Sequence, residues 1–213
     1  MSATQTTPAH IQFHFDPLCP LAWRTALWAR EARNVRPLAI TWRLFSLEIV
    51  NRPAGDEADY VNGRGWKALR TLALVRRKYG NEAIEKVYIQ LGNAQHGRKE
   101  SIDDRSVVEA TIQKAGFESE LVAEALADES TAQDVIRDHE EAKERYHAFG
   151  VPTIALEGSN VGIYGPVIHS VPKGEEAAEM WDHIYWALQT PNLFEIKRDR
   201  AAAPPFGPVS AED

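Results

Sequence analysis

The sequence predicts an α/β fold in which two strand-bearing segments are separated by an all-helical block. Three observations predict it. The chain opens β-α-β, with strand alternation on either side of a helical run. From about Asp56 to Phe149 the apolar residues recur at three- and four-residue spacing, with no strand alternation. After Gly150 the strand pattern returns as a hairpin followed by one amphipathic helix.

Met1 to His10 reads as a loose tail. From Ile11 to Asp16 the residues alternate, with Ile11, Phe13 and Phe15 on one face and Gln12 and His14 on the other. Pro17 ends that strand, and a helix runs from Cys19 to about Arg33, with Pro20 just inside its start, where its missing N–H costs nothing. Leu38, Ile40, Trp42 and Leu44 are in phase for a second strand, so a helix crossover joins two strands, the unit that makes parallel sheets. Ser46 to Gly65 is mixed. Helices are expected over Trp66–Tyr79, over Asn81–Gln95 with Gly92 bringing its end early, from an Asp103 or Asp104 cap to Ala115, and over Glu118–Ala127. A long charged helix capped by Ser130 is expected to stop at Phe149–Gly150. Thr153–Leu156 and Val161–Tyr164 flank the turn residues Glu157-Gly158-Ser159-Asn160, and Lys173–Leu188 carries Ala177, Trp181, Ile184 and Leu188 in register. In the tail, Leu193, Phe194, Ile196, Pro204, Pro205 and Phe206 suggest packing on the body or on a partner. A β-α-β half followed by a hairpin and helix is the plan of a thioredoxin fold. The expected division is residues 1–55 as its first half, 56–149 as an inserted helical domain, and 150–213 as its second half with the tail.

With 44% hydrophobic and 26% charged residues among 213, the chain has the composition of a globular protein with ample core. Its net charge of −7 argues against a nucleic-acid or anionic-membrane surface, and Arg76-Arg77-Lys78 is one solvated helix turn. No apolar run is long enough to span a bilayer, and Met1 to His10 has no secretory pattern. A single cysteine cannot form an internal disulfide, which fits a reducing compartment and a cytoplasmic protein.

That cysteine, Cys19, sits where a turn becomes a helix. A helix N-terminus offers unpaired N–H groups and the positive end of the macrodipole, so the thiol is expected to shift toward the nucleophilic thiolate. The plainer alternative is a small buried apolar residue, a common fate of free cysteine. His14 lies close in sequence and could move a proton, or be a strand histidine with a structural role. Arg24 is expected off-axis and solvated, and His139 and His147 are expected at the surface. There is no zinc spacing, phosphate-cradling glycine loop or serine-nucleophile motif, so neither a metal nor a bound cofactor is expected.

Phe15-Asp16-Pro17-Leu18-Cys19-Pro20, Trp23, Ser46-Leu47, Asn51, Gly92-Asn93, His96, Gly150-Val151-Pro152-Thr153, Gly165-Pro166-Val167, Pro172, Gly174-Glu175-Glu176, Trp181 and Phe194-Glu195 together resemble the DsbA-like thioredoxin superfamily. The likeness is nearest to the actinobacterial mycothiol-dependent reductase (nitroreductase) branch. Class kappa glutathione transferases and 2-hydroxychromene-2-carboxylate isomerases are the neighbouring families. The resemblance implies a thioredoxin fold with an inserted helical domain, Cys19 as the attacking cysteine, and Pro152 as a cis-proline that sets Val151 beside it. It also implies that Pro20, Leu21, Ala22, Asn51, Tyr60, His96 and Val151 line the substrate cleft. Asn51 could equally be a turn residue. The partners it implies are a low-molecular-weight thiol such as mycothiol and a disulfide or electrophilic substrate, and it allows a homodimer.

The chain departs from the family's Cys-x-x-Cys pattern at one place: it reads Cys19-Pro20-Leu21-Ala22, with no second cysteine, and Leu21 stands where close relatives carry an aromatic. The leading expectation is therefore a thiol-dependent oxidoreductase working through one cysteine and a small thiol. A kappa-type thiol transferase or isomerase, and a non-redox binding protein on the same fold, are the alternatives.

Overall fold

The computed structural model describes residues 8–199 and 207–212. Four strands form one mixed sheet in the order β2-β1-β3-β4, comprising β1 (Ala9–Phe15), β2 (Leu38–Leu44), β3 (Thr153–Leu156) and β4 (Gly162–Tyr164). β2 runs parallel to β1, with Phe13 opposite Trp42; β3 runs antiparallel to β1, and β4 antiparallel to β3. The first-half and second-half strands thus meet at the centre of the sheet, where His14 pairs with Thr153.

The parallel β1–β2 pair is joined by α1 (Pro20–Arg33), as the crossover pattern requires. Six helices fill the chain between β2 and β3: α2 (Leu47–Asn51), α3 (Trp66–Tyr79), α4 (Asn81–Gly92), α5 (Arg105–Lys114), α6 (Glu120–Ala127) and α7 (Ser130–Tyr146), and α8 (Gly174–Leu188) closes the fold. α3 packs on α4, α6 and α7, while α4 and α7 reach β2. α8 lies on α1, where Trp28 Nε1 donates to Ala177 O at 3.0 Å.

Alternation puts Ile11, Phe13 and Phe15 on one face of β1, fully buried, and Phe15 stacks on Tyr88 of α4 at 4.0 Å between centroids. The opposite face is polar and lies under α7, where Tyr146 donates to Gln12 Oε1 at 3.2 Å. Five of the six tryptophans, Trp23, Trp28, Trp42, Trp66 and Trp181, are buried, so the core is built on large aromatic surfaces.

Several boundaries differ from expectation for local reasons. The 81–95 helix stops at Gly92 and continues as a π-helical turn, Asn93–Arg98, that ends at Lys99 with φ 62°. α7 ends at Tyr146 rather than Phe149, because His147 turns left-handed at φ 52° and closes the helix three residues before Gly150. Ser130 is the first residue of α7 and not its cap; Asp128 supplies the oxygen that accepts from both the N–H and the hydroxyl of Ser130. In the tail, Phe194 is 90% and Ile196 80% exposed, so these residues do not pack on the body; Pro204, Pro205 and Phe206 lie outside the described residues. The tail docks instead further on, at residues 207–211.

Gly92 shows how closely the helical block meets α1. A Cβ placed there would lie 2.2 Å from Trp23 Cζ3, and Trp23 is itself wedged against Tyr88 and His96. Gly92→Ala gains helix propensity but forces a buried ring to move. Urea denaturation is expected to show a loss of about 3 kcal/mol; an unchanged midpoint would mean that the two halves are not in this contact.

Candidate functional site

Cys19 is the N-cap of α1 and Pro20 its first residue, as expected. The Asp16 carbonyl accepts from Cys19 N at 2.9 Å, closing the turn that ends β1. The thiol is 5% exposed. Its Sγ accepts from Ala22 N at 3.4 Å and donates to Val151 O at 3.3 Å. The Val151–Pro152 bond is cis, as is Gly165–Pro166. The sequence-predicted residues Cys19, Ala22 and Val151, with Pro152, therefore meet at one point, although 132 residues separate Cys19 from Val151.

The thiol does not behave as its place at a helix start suggests. Burial pushes it up to about 11, the N–H groups of Ala22 and Leu21 pull it down, and the Asp16 carboxylate pushes it up further. In this resting arrangement desolvation outweighs the helix terminus, so Cys19 is a protonated thiol at neutral pH. The expectation of a depressed value is corrected on that ground. The same two N–H groups would stabilise the thiolate once the site is engaged.

His96 sits in the π-helical turn, buried, with Nε2 2.8 Å from Pro17 O. Burial lowers it to about 4, so the neutral ring donates Nε2–H to that carbonyl and steadies the Cys19 turn. Leu18 packs from the same turn toward Gly65, where a Cβ would lie 3.0 Å from Leu18 Cδ1. The helical block thus touches the cysteine turn at both Gly65 and His96.

Asn51 and Tyr60 are placed differently. Asn51 is exposed and donates to Leu47 O within α2. Tyr60 packs edge-on against Trp66 and beneath the Arg52 guanidinium. Asn51 is bonded within α2, and Tyr60 contacts Arg52 just after α2 and Trp66 and Arg70 of α3; none of these contacts is with Cys19. Leu21 is half-buried and Pro20 exposed beside the thiol.

Other residues are corrected by burial. Arg24 is buried, bonding to His169 O and, at 2.8 Å, to Gly207 O. His139 is fully buried against Phe45 and accepts from Ser46 N at 3.3 Å. His14 is fully buried, and among the described residues neither of its ring nitrogens has a partner; burial first, then Arg43 and His139, lower it to about 3. It is a neutral core histidine edge-on to Tyr146, with no bond to the thiol.

Three features escaped the sequence reading. Asp16 is fully buried and accepts from Leu18 N at 2.8 Å and Leu47 N at 2.7 Å. Tyr88, read as a core position of a helix, is fully buried with its hydroxyl unpartnered among the described residues; burial raises its phenol, and the charges of Cys19 and Asp16 add to that. The tail returns to the site: Trp23 Nε1 donates to Val209 O at 2.9 Å, Val209 N to His96 O at 3.2 Å, and Ala211 N to Asn93 Oδ1 at 2.7 Å. Only the acid before Pro17 carried a sequence signal, as part of the cysteine motif.

A family model described as "Rv2466c-like: Mycothiol-dependent nitroreductase Rv2466c" matches residues 18–198, which include Cys19, His96 and the Val151–Pro152 pair. The chain belongs to this family. It is also 31% identical over 195 residues, 91% of this chain and 83% of the relative, to the uncharacterized protein Rv2286c of Mycobacterium tuberculosis. Among solved structures it is similar to a probable DsbA oxidoreductase, SCO1869, from Streptomyces coelicolor, at 17% identity and a TM-score of 0.63, covering 94% of this chain and 98% of that one. The cytosolic disulfide reductase DsbM from Pseudomonas aeruginosa aligns with a TM-score of 0.58 at 14% identity, over 83% of this chain and 98% of that one. These likenesses show the fold, a DsbA-like thioredoxin fold with helices inserted between the two sheet-forming segments. Membership makes the chain a redox enzyme of a thiol-dependent family. Among the described residues, no helix is long and apolar enough to cross a membrane.

Proposed function

We propose that this chain is a cytoplasmic reductase that works through Cys19 alone, with a low-molecular-weight thiol of the mycothiol type as reductant. The observation that supports this reading most is the placing of the single thiol between the Ala22 N–H and the Val151 carbonyl, with alanine where a second cysteine would stand. Cys19 first loses its proton as the site is engaged. The thiolate then attacks one sulfur of a disulfide substrate, forming a mixed disulfide and releasing the other half as thiolate. A small-thiol thiolate attacks the mixed disulfide, freeing Cys19 and leaving with the bound half as a new disulfide. A second small thiol then attacks that new disulfide and releases the remaining half as thiolate, so two small thiols supply one electron each and end as their own disulfide, and the protein returns unchanged. Pro20, Leu21 and Ala22 would border the incoming sulfur on one side, and Val151 and Pro152 on the other. The homodimer and the division at residues 56 and 150 belong to the same proposal.

A kappa-type transferase or isomerase is the second reading. It is favoured by the burial that holds the thiol protonated, since a protein that only orients a bound small thiol has no need of a thiolate of its own.

Ala22→Cys separates the two. Ala22 is one helical turn from Cys19 and fully buried, so the new thiol would face Sγ. In a single-turnover assay against a mixed disulfide with a coloured leaving thiol, both proteins should release the first thiol. Only the variant should then release the trapped half without added small thiol and end as an internal disulfide by mass. A variant that stalls as a Cys19 adduct would put the transferase reading ahead.

A further inference from the structure

Asp16 is the buried charge closest in sequence to the thiol, and the site described above leaves it without a task. Its two oxygens are both used: Oδ1 accepts from Leu18 N at 2.8 Å and Oδ2 from Leu47 N at 2.7 Å. The first bond holds the turn that delivers Cys19, and the second holds the first residue of α2. Its main-chain carbonyl holds Cys19 N directly. Over it lies the backbone of Gly65, at φ +78°, where a Cβ would come within 3.6 Å of Oδ1. Gly65 N in turn donates to Asp103 Oδ1 at 2.7 Å, and Asp103 pairs with Arg64. One carboxylate therefore stands where the cysteine turn, α2 and the helical block meet.

We propose that Asp16 is a positioning residue for Cys19: its carboxylate pins the turn that carries the thiol to the start of α2, beneath the backbone of Gly65. The proposal rests on Cys19 being the reactive group. Only an ionised carboxylate can accept both N–H bonds strongly; a protonated one turns an oxygen into a donor and loosens one of them. The titratable and charged groups around it are Cys19 on the turn, Tyr88 on α4, and Asp103 and Arg64 from the helical block. Burial chiefly, and Asp103 in addition, raise Asp16 to about 6 against the pull of its two N–H donors and Arg64, which places the change of charge within reach of an ordinary titration.

The test is the rate of Cys19 alkylation by iodoacetamide from pH 5 to pH 9, read by mass, which needs no turnover and so stands apart from the question of the reaction catalysed. The logarithm of the rate for an isolated thiol rises with unit slope below its pKa. In the native protein the slope is expected to flatten near pH 6, as Asp16 ionises and makes the thiol harder to ionise. In Asp16→Asn the slope should be uniform and the rate at pH 8 higher by the factor that separates the two limbs of the native profile, because the charge that opposes the thiolate is gone. Asp103→Asn guards against a variant that fails to fold: it should move the break to lower pH. A straight profile in the native protein, a break that survives Asp16→Asn, or a break unmoved by Asp103→Asn would each overturn the proposal.

Discussion

Cys19→Ser is expected to lose thiol-dependent reduction by about 10³-fold or more in kcat/KM while keeping its fold. Cys19 is the only cysteine in the 213 residues, so no other thiol can take over the attack. Serine would keep the polar framework: its Oγ can accept the Ala22 N–H and donate to Val151 O as the sulfur does. Serine is moreover a preferred N-cap, so α1 should be unharmed and the melting temperature equal to or slightly above the native value. What is lost is a group able to form and release a disulfide. The measurements are steady-state reduction with the small thiol in excess and intact mass after exposure to a mixed disulfide, where the native protein alone should carry an adduct. A serine variant with more than a tenth of native activity would rule out attack by Cys19.

Lowering the pH from 7 to 5 is expected to cost about 4 kcal/mol of stability, from three buried histidines opposed by one buried acid. Burial lowers His14 to about 3, and His96 and His139 to about 4, each from 6.5. The unfolded chain binds protons at these sites more readily than the native one. Their contribution is therefore whole above pH 6.5 and falls away as the pH drops toward 4, by about 2 kcal/mol each at pH 5. Asp16 works the other way. Raised from 3.8 to about 6, it binds its proton more readily in the native state, and so returns about 1 kcal/mol over the same interval. At the usual unfolding entropy per residue, the net loss lowers Tm by roughly 9 °C for a chain of this length. Calorimetry at the two pH values checks it. His139→Gln, which removes one titrating ring and keeps a side-chain acceptor for Ser46 N, should narrow the gap; a pH-independent Tm would mean that these rings are hydrated or charged in the native state.

The architecture was legible because it rests on short-range rules. Alternation in Ile11–Phe15 and Leu38–Leu44 gave β1 and β2 their buried face; glycine and turn residues marked the hairpin at 157–160; and Pro20 after Cys19 marked the start of α1 to the residue. Cys19 and the Val151–Pro152 pair were readable as motifs, and the absence of a second cysteine is a fact of the sequence alone. Tertiary structure decided everything that depends on burial and on who lies opposite. A helix start should ionise the thiol, yet the packing around Cys19 withdraws it from water and raises it, and no local pattern carries that desolvation. The polar side chains of Arg24, His139 and Asp16 look like surface chemistry in one dimension; they are interior because distant segments close over them, at His169 and Gly207, at Phe45 and Ser46, and at Leu47 and Gly65. Asn51 and Tyr60 went the other way, since α2 satisfies the first and Trp66 of α3 with Arg52 packs the second away from the thiol. The tail follows the same rule. Its apolar residues Phe194 and Ile196 remain in water, while Val209 and Ala211 are held through backbone groups by Trp23, His96 and Asn93 and Ser210 through its hydroxyl by Asn93, and backbone groups are carried by every residue, so composition could not single this segment out.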